Sequence, residues 1–148
     1  MSLYYLGNSR TTEQLNEMRQ LEAESKCLFC PEQLVTHPSQ RIINKTDGWS
    51  VTDNRYPYKG TKLHLLLIPT LHVSDILSLP PELLADLWVA LAWVKNAYAL
   101  EFYGLGVRCG DCKYTGGTIQ HLHVHVVVGD VENPDHEPVR LKLSSRPV

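Results

Sequence analysis

Three of the chain's seven histidines, His121, His123 and His125, stand at every second position of the run QHLHVHVVV, residues 120–128. On a strand, alternate side chains share a face. The three imidazoles would therefore project to one side at a repeat of roughly 6.6 Å, with Leu122, Val124 and Val126 on the other. A buried imidazole row is costly unless each ring finds partners, and neutral imidazole suits metal ligation, nucleophilic attack and proton transfer. One histidine would fit a half-buried strand without further reason; three in strict alternation point to chemistry. The four cysteines form two C-x-x-C pairs, Cys27/Cys30 and Cys109/Cys112. In a cytoplasmic chain such pairs suggest metal or redox chemistry before structural disulfides, and both options stay open on the residues alone.

The elements that must position these groups follow from periodicity and punctuation. Thr11 and Gln14 have capping-box spacing, and Leu15, Met18 and Leu21 continue one face, so a helix is predicted over about residues 11–25. Short β-type runs follow at residues 41–44 and 49–53, then a strong one, LHLLLIP, at 63–69. Pro80 and Pro81 open a long segment in which Leu83, Leu87, Leu91, Val94 and Tyr98 recur at helical spacing, with Gly104 as its end. Beyond it come residues 107–109, the glycine-rich turn YTGGT, the histidine run, the polar loop ENPDHEP and a last strand at 139–143. This order predicts a single α+β domain over residues 1–148, with a mainly antiparallel sheet, one long helix and an N-terminal helix.

Composition narrows the function classes. A chain of 148 residues, 43% hydrophobic and 20% charged, is sized for one domain that buries roughly 70% of its unfolded surface. A formal charge of -2 with dispersed Lys and Arg gives no field for a polyanion, which argues against a nucleic-acid binder. No apolar run approaches the roughly 20 residues needed to span a bilayer, and the first residues lack a leader pattern. The expectation is a soluble, cytoplasmic protein without membrane partners.

The run His121-Leu122-His123-Val124-His125-Val126-Val127 resembles the His-φ-His-φ-His-φ-φ signature (φ apolar) of the histidine triad superfamily. Asn54-Arg55-Tyr56-Pro57, then His64 to Pro69, then Gly116-Gly117-Thr118 are similar to that family's other landmarks, in the same order. The resemblance implies a curved antiparallel sheet, often a homodimer, and binding of a small-molecule nucleotide or nucleotide conjugate that is cleaved at the α-phosphate. It assigns His123 as the nucleophile that forms a nucleotidyl-histidine. It further implies that His125 bonds phosphate oxygens and assists the leaving group, that His64 polarises the site, and that Thr118 with the amides of Gly116 and Gly117 cradles the phosphate. Asn54 and Asp53 fall where the family contacts ribose, although an ordinary turn before Pro57 explains them nearly as well.

The same resemblance extends to a metal. Cys27-Leu28-Phe29-Cys30 precedes the core as in zinc-bearing members; His72, three residues past Ile68-Pro69, matches their third ligand and His121 the fourth. Two thiolates and two imidazoles would make a closed, structural zinc site. Cys109 and Cys112 match no family role: two free thiols, a redox pair, or half of a four-cysteine zinc site with Cys27 and Cys30 all fit. His37 and His136 are expected in solvent-facing loops. Two positions bear on the reaction. Gly117 stands where the family's hydrolases commonly carry Gln, so a phosphate contact is missing or supplied elsewhere. His125, where related uridylyltransferases have Gln, favours hydrolase over transferase. Two other functions compete. A cupin-type metal oxygenase would also use His-x-His on a strand, but the long helix and the lack of a nearby Glu argue against it. A non-catalytic, zinc-stabilised nucleotide module would keep the pocket, but the intact His64, His123 and His125 favour an enzyme.

Overall fold

A computed structural model describes residues 2–147. In chain order its elements are α1 (Thr12–Ala23), α2 (Pro31–Thr36), β1 (Ile42–Lys45), β2 (Trp49–Asp53), β3 (Thr61–Pro69), α3 (Pro81–Ala97), β4 (Gly104–Val107), α4 (Cys112–Thr115) and β5 (Val124–Gly129). The five strands form one antiparallel sheet in the order β1-β2-β3-β5-β4. The class is α+β, as the alternation of patterns predicts.

β3 explains why LHLLLIP, after His64, reads as an unbroken apolar run. Strand residues alternate faces, and the inner residues of β3 are covered on both. Leu65 and Leu67 join Trp49, Val51, Leu122, Val124 and Val126 beneath Leu87, Leu91 and Val94 of α3. Leu66 and Ile68 face the opposite way, onto Met18 and Leu21 of α1, Leu28, Phe29 and Leu34. Each such aliphatic side chain contributes about 1.5–3 kcal/mol on burial. The Trp49 indole is fully buried and its Nε1–H donates to the Leu83 carbonyl at 2.7 Å, tying β2 to the first turn of α3.

The helix starts follow their signals. Thr11 Oγ1 accepts from the Gln14 amide at 3.0 Å, the predicted cap, and Pro31 and Pro81 begin α2 and α3. The ends do not. α3 stops at Ala97, well short of Gly104, which instead begins β4. Ala99 takes a φ of 51°, the Leu100 amide donates to the Lys95 carbonyl at 2.9 Å and the Ala99 amide to Asn96. This is a Schellman closure without glycine. α1 ends the same way at Ser25 (φ 54°), so neither stop carries the usual residue.

Two further expectations need correction. Residues 139–143 form no strand; they pack against β4, where the Leu141 side chain fills the space a Cβ on Gly106 would take. The histidine run is only partly strand: β5 starts at Val124, so His121 and His123 precede it and His125 alone sits in the ladder, opposite Leu66 and Gly106. The alternation nevertheless holds, with Leu122, Val124 and Val126 on the α3 side.

Candidate active site and an adjoining cysteine–histidine cluster

On the sheet face away from α3, His64 of β3 and His125 of β5 are diagonal neighbours, and His64 Nε2 lies 2.8 Å from His125 Nδ1. One backbone amide sets the proton positions of both rings. The Tyr58 N–H donates to His64 Nδ1 at 3.1 Å, so the proton of neutral His64 is on Nε2 and is donated to His125 Nδ1. The proton of His125 is then on Nε2, which lines the pocket 3.4 Å from Nη1 of Arg108. Two donors thus meet without an acceptor between them, an arrangement that an anion's oxygens would satisfy. Asn54 Oδ1 accepts from the Tyr56 amide at 2.9 Å, leaving its Nδ2 beside His64 Nε2 at 3.2 Å. Tyr58 stacks on His125 with ring centres 5.3 Å apart.

His123 is set by a different carbonyl. Its Nδ1–H donates to the His121 backbone oxygen at 2.8 Å, and the Phe29 ring packs edge-on at 5.1 Å. Nε2 is therefore the nitrogen with a free lone pair. Loss of hydration pushes His123 down to about 4; the bond to His121 opposes that shift and Arg108 adds to it. Burial, then the positive field of Arg10, takes His64 down to about 3, and burial holds His125 well below the usual 6.5. All three rings are neutral at pH 7.

The glycine turn adjoins them. Gly116 closes α4 with φ 86°, and its amide is engaged by the Cys112 carbonyl at 3.2 Å, so it is not free for a ligand as the sequence suggests. Gly117 and Thr118 also line the pocket; the Gly117 carbonyl accepts from Asn8 Nδ2 at 2.8 Å and Thr118 Oγ1 donates to the Asn8 carbonyl. A Cβ on Gly117 would lie 3.0 Å from Cys112 Sγ and 3.5 Å from Arg108 Cδ. The bare position leaves room for Arg108. Asn54 lines the pocket, whereas Asp53 does not: at the end of β2 it pairs with exposed Arg41 (Oδ2 to Nη2, 2.6 Å). Sequence reading missed Arg10, Arg108, Arg140 and Lys142, which all line the pocket. They are dispersed along the chain and no local spacing marks them.

Beside this pocket, three separate segments bring Cys27 with Cys30, His72 and His121 together, with one candidate ligand atom from each residue lying within 4.8 Å of all the others. Cys27 Sγ is 3.5 Å and Cys30 Sγ 3.7 Å from His121 Nδ1; His72 Nδ1 is 3.3 Å from Cys30 Sγ and 3.1 Å from His121 Nδ1. A tetrahedral ion with Zn–S near 2.3 Å and Zn–N near 2.05 Å has S···N edges of about 3.5 Å and N···N edges of about 3.3 Å. The cluster fits that size. His121 Nε2–H donates to the Pro69 carbonyl at 2.8 Å, which leaves Nδ1 unprotonated toward the thiols. Burial raises both thiols, Cys30 to about 12 with Cys27 beside it adding to the rise; without a cation the pair stays protonated. The residues could hold a metal ion.

Cys109 and Cys112 lie elsewhere. Cys112 is buried, its thiol donating to the Ile119 carbonyl at 3.3 Å, and Cys109 packs against the α3 core; the four-cysteine arrangement does not assemble. His37 and His136 are half-buried where solvent-facing loops were expected, and His37 Nε2 lies 2.9 Å from Glu17 Oε1.

The HIT domain profile matches residues 36–132, more than half of the chain. Two uncharacterized HIT-like proteins from Helicobacter pylori strains are 29% identical over 69 residues; the match covers 47% of this chain and 66% of theirs, so the chain spans less than two thirds of the curated relatives' length. A HIT family hydrolase from Clostridium thermocellum superposes with a TM-score of 0.59 at 23% identity, over 74% of this chain and 95% of that one. A Zn-bound histidine triad family protein from Mycobacterium smegmatis does so with 0.58 at 20% identity, over 80% and 83%. At these identities the two structures speak for the fold.

Proposed function

Because the chain belongs to the HIT domain family, we propose that it is a nucleotide-binding hydrolase that cleaves at the α-phosphate of a nucleotide conjugate or dinucleoside polyphosphate. Its intermediate is a nucleotidyl-histidine on His123. The observation that carries this reading is the protonation pattern of the three rings. His123 offers an unprotonated Nε2, and His125 offers an Nε2–H beside Arg108, both toward one pocket. A nucleophile and an anion donor side by side are the two groups that nucleotidyl transfer needs.

In the first step His123 Nε2 attacks phosphorus; the P–N bond forms as the bond to the leaving group breaks, and the leaving group departs with the electron pair. The cation created on His123 is stabilised by its Nδ1–H bond to the His121 carbonyl. The His125 N–H and Arg108 face the phosphoryl oxygens, where one well-placed donor is worth about 3 kcal/mol in the transition state. His64 holds the His125 proton on Nε2. Water then attacks phosphorus, the P–N bond breaks, and the water's proton passes to solvent as His123 becomes neutral again. Asn54, Gly117 and Thr118 line the pocket for sugar and phosphate; Asp53, outside it, has no part. Cys27, Cys30, His72 and His121 would hold a structural zinc ion, which would fix the α1–α2 connection beside the run that carries His123.

A homodimer follows the same reading. β4 is a sheet edge, with Leu105 half exposed, and α3 turns Trp88 (67% exposed) and Val89 outward, apolar surface that a two-fold partner would cover. The reaction is tested by incubating the protein with adenylated and guanylated conjugates and following nucleotide release, with rapid acid-free quench and mass spectrometry for an adduct on residues 120–128. Release together with a nucleotide-sized adduct on His123 is expected; release without an adduct in any quench would overturn the covalent route.

A further inference from the structure

The pocket carries more positive charge than one phosphate requires. Arg10, Arg55, Arg108, Arg140 and Lys142 line it, and no Asp or Glu does. Arg55 is paired with Glu17, and Glu137, the acid nearest along the chain to Arg140, is taken by Lys59 at 3.0 Å. Among the described residues the other four cations have no carboxylate partner. They also disfavour one another: after burial, Lys142 is lowered by Arg108, Arg146 and Arg10, and Arg10 by Arg108. Collecting like charges at one wall is unfavourable unless a ligand neutralises them.

Two of the four come from residues 138–146, outside the 36–132 of the HIT match. This segment is seated by specific contacts. Arg108 Nε donates to the Lys142 carbonyl at 2.8 Å, Lys142 Nζ to Asn8 Oδ1 at 3.0 Å, and Asn8 Nδ2 to Ser145 Oγ at 2.9 Å; Ser145 Oγ in turn donates to the Cys112 carbonyl at 3.1 Å. A Cβ on Gly116 would lie 3.0 Å from the Lys142 and Ser144 carbonyls, so the glycine turn and the segment are in direct contact. Arg108 reaches His125 with Nη1 and the segment with Nε, which puts the segment one guanidinium's breadth from the reacting centre.

Resting on the hydrolase reading, we propose that Arg140 and Lys142, facing Arg10 and Arg108, form a second anion subsite that receives the leaving group and selects conjugates whose leaving group is an acidic phosphate chain over those that release a neutral amine. The protonation pattern agrees. His125, neutral and accepting from His64, can offer an N–H but holds no second proton to hand to a departing amine. A phosphate chain leaves as a stable anion and needs none.

The test uses the full chain. Inorganic tripolyphosphate and AMP are titrated calorimetrically into the wild type, the Arg140→Gln/Lys142→Gln variant and the charge-preserving Arg140→Lys/Lys142→Arg variant. Charge-assisted contacts to phosphate are the strong ones, so the Gln variant should lose about tenfold or more in tripolyphosphate affinity, and clearly less for AMP, with the charge-preserving variant close to wild type. In turnover, the kcat/KM ratio of diadenosine tetraphosphate to adenosine 5′-phosphoramidate should fall in the Gln variant. Equal losses for both titrants, no loss for tripolyphosphate, or equal loss in the charge-preserving variant would overturn the subsite. If the wild type turns over neither conjugate, the hydrolase reading fails, and the tripolyphosphate titration still decides the subsite alone.

Discussion

His121 and His123 are two residues apart, similarly depressed to about 4, yet they stand in opposite surroundings. His121 is 1% exposed; its Nε2–H is fixed on a carbonyl and its Nδ1 lies among two thiols and another imidazole. His123 has the reverse tautomer, Nδ1–H fixed on a carbonyl and Nε2 toward a pocket lined with cations. Which nitrogen a backbone oxygen claims, and what lies across from the other, separates a ligand from a nucleophile. On the proposed reading the histidine row serves two sites, one closed and one open, on the run that leads into β5.

The sharpest way to break the comparison is to exchange the roles. His123→Ala should reduce turnover by about three orders of magnitude or more while metal content stays at the wild-type level, read by nucleotide release and atomic absorption on one preparation. Loss of metal with intact turnover would invert the assignment. Next in size is the cluster. His72→Ala or Cys27→Ser should release the ion and lower stability by several kcal/mol, seen as a large drop in Tm, whereas Cys109→Ser should retain the metal; a variant of Cys109 that loses it would restore the four-cysteine arrangement.

Acid sharpens the comparison on the open side. In the proposed reaction the attacking His123 must be neutral, and because its folded value is near 4, kcat/KM should stay level from pH 8 down to about pH 5 and fall only as pH approaches 4. An ordinary imidazole would already be half protonated at 6.5. The sign for stability runs in the same direction. Below about 6.5 the unfolded chain binds protons that folded His64 and His125 refuse, so stability decreases as pH falls from there. A rate that halves near 6.5 would mean His123 is hydrated like a free side chain. The smallest effect is expected at Asp53. Its pair with Arg41 is exposed, so Asp53→Asn should change stability by about 0–1 kcal/mol and leave nucleotide affinity within about twofold, read by titration; a tenfold loss would return Asp53 to the ribose site.

Much of this was legible because it is local. The Thr11 cap, the unbroken apolar run of β3, and Pro81 at the start of α3 each announce themselves within a few residues. The cysteine–histidine cluster was legible for another reason: the resemblance to zinc-bearing members of the family named Cys27, Cys30, His72 and His121 together, and the structure brings those four residues to one place. What escaped has no local mark. Ala99 and Ser25 close their helices in a conformation that usually signals glycine, so α3 was read too long. Arg10, Arg108 and the Arg140/Lys142 segment come from three dispersed places, and only tertiary packing gathers them. Residues 139–143 have strand-like composition but join no ladder; the Leu141 side chain packs onto Gly106 of the edge strand β4 instead.

β3 has one more consequence. Its even and odd residues belong to different apolar clusters, one under α3 and the other under α1 and α2, so neither cluster can dissolve without unzipping the strand that supports the other. The two halves of the molecule are therefore expected to open as a single unit. Amides of residues 65–68 should be the slowest to exchange with deuterium, by a rate set by global unfolding, and stripping the ion from the cysteine–histidine cluster should accelerate them together with the amides of α3, on the far side of the sheet.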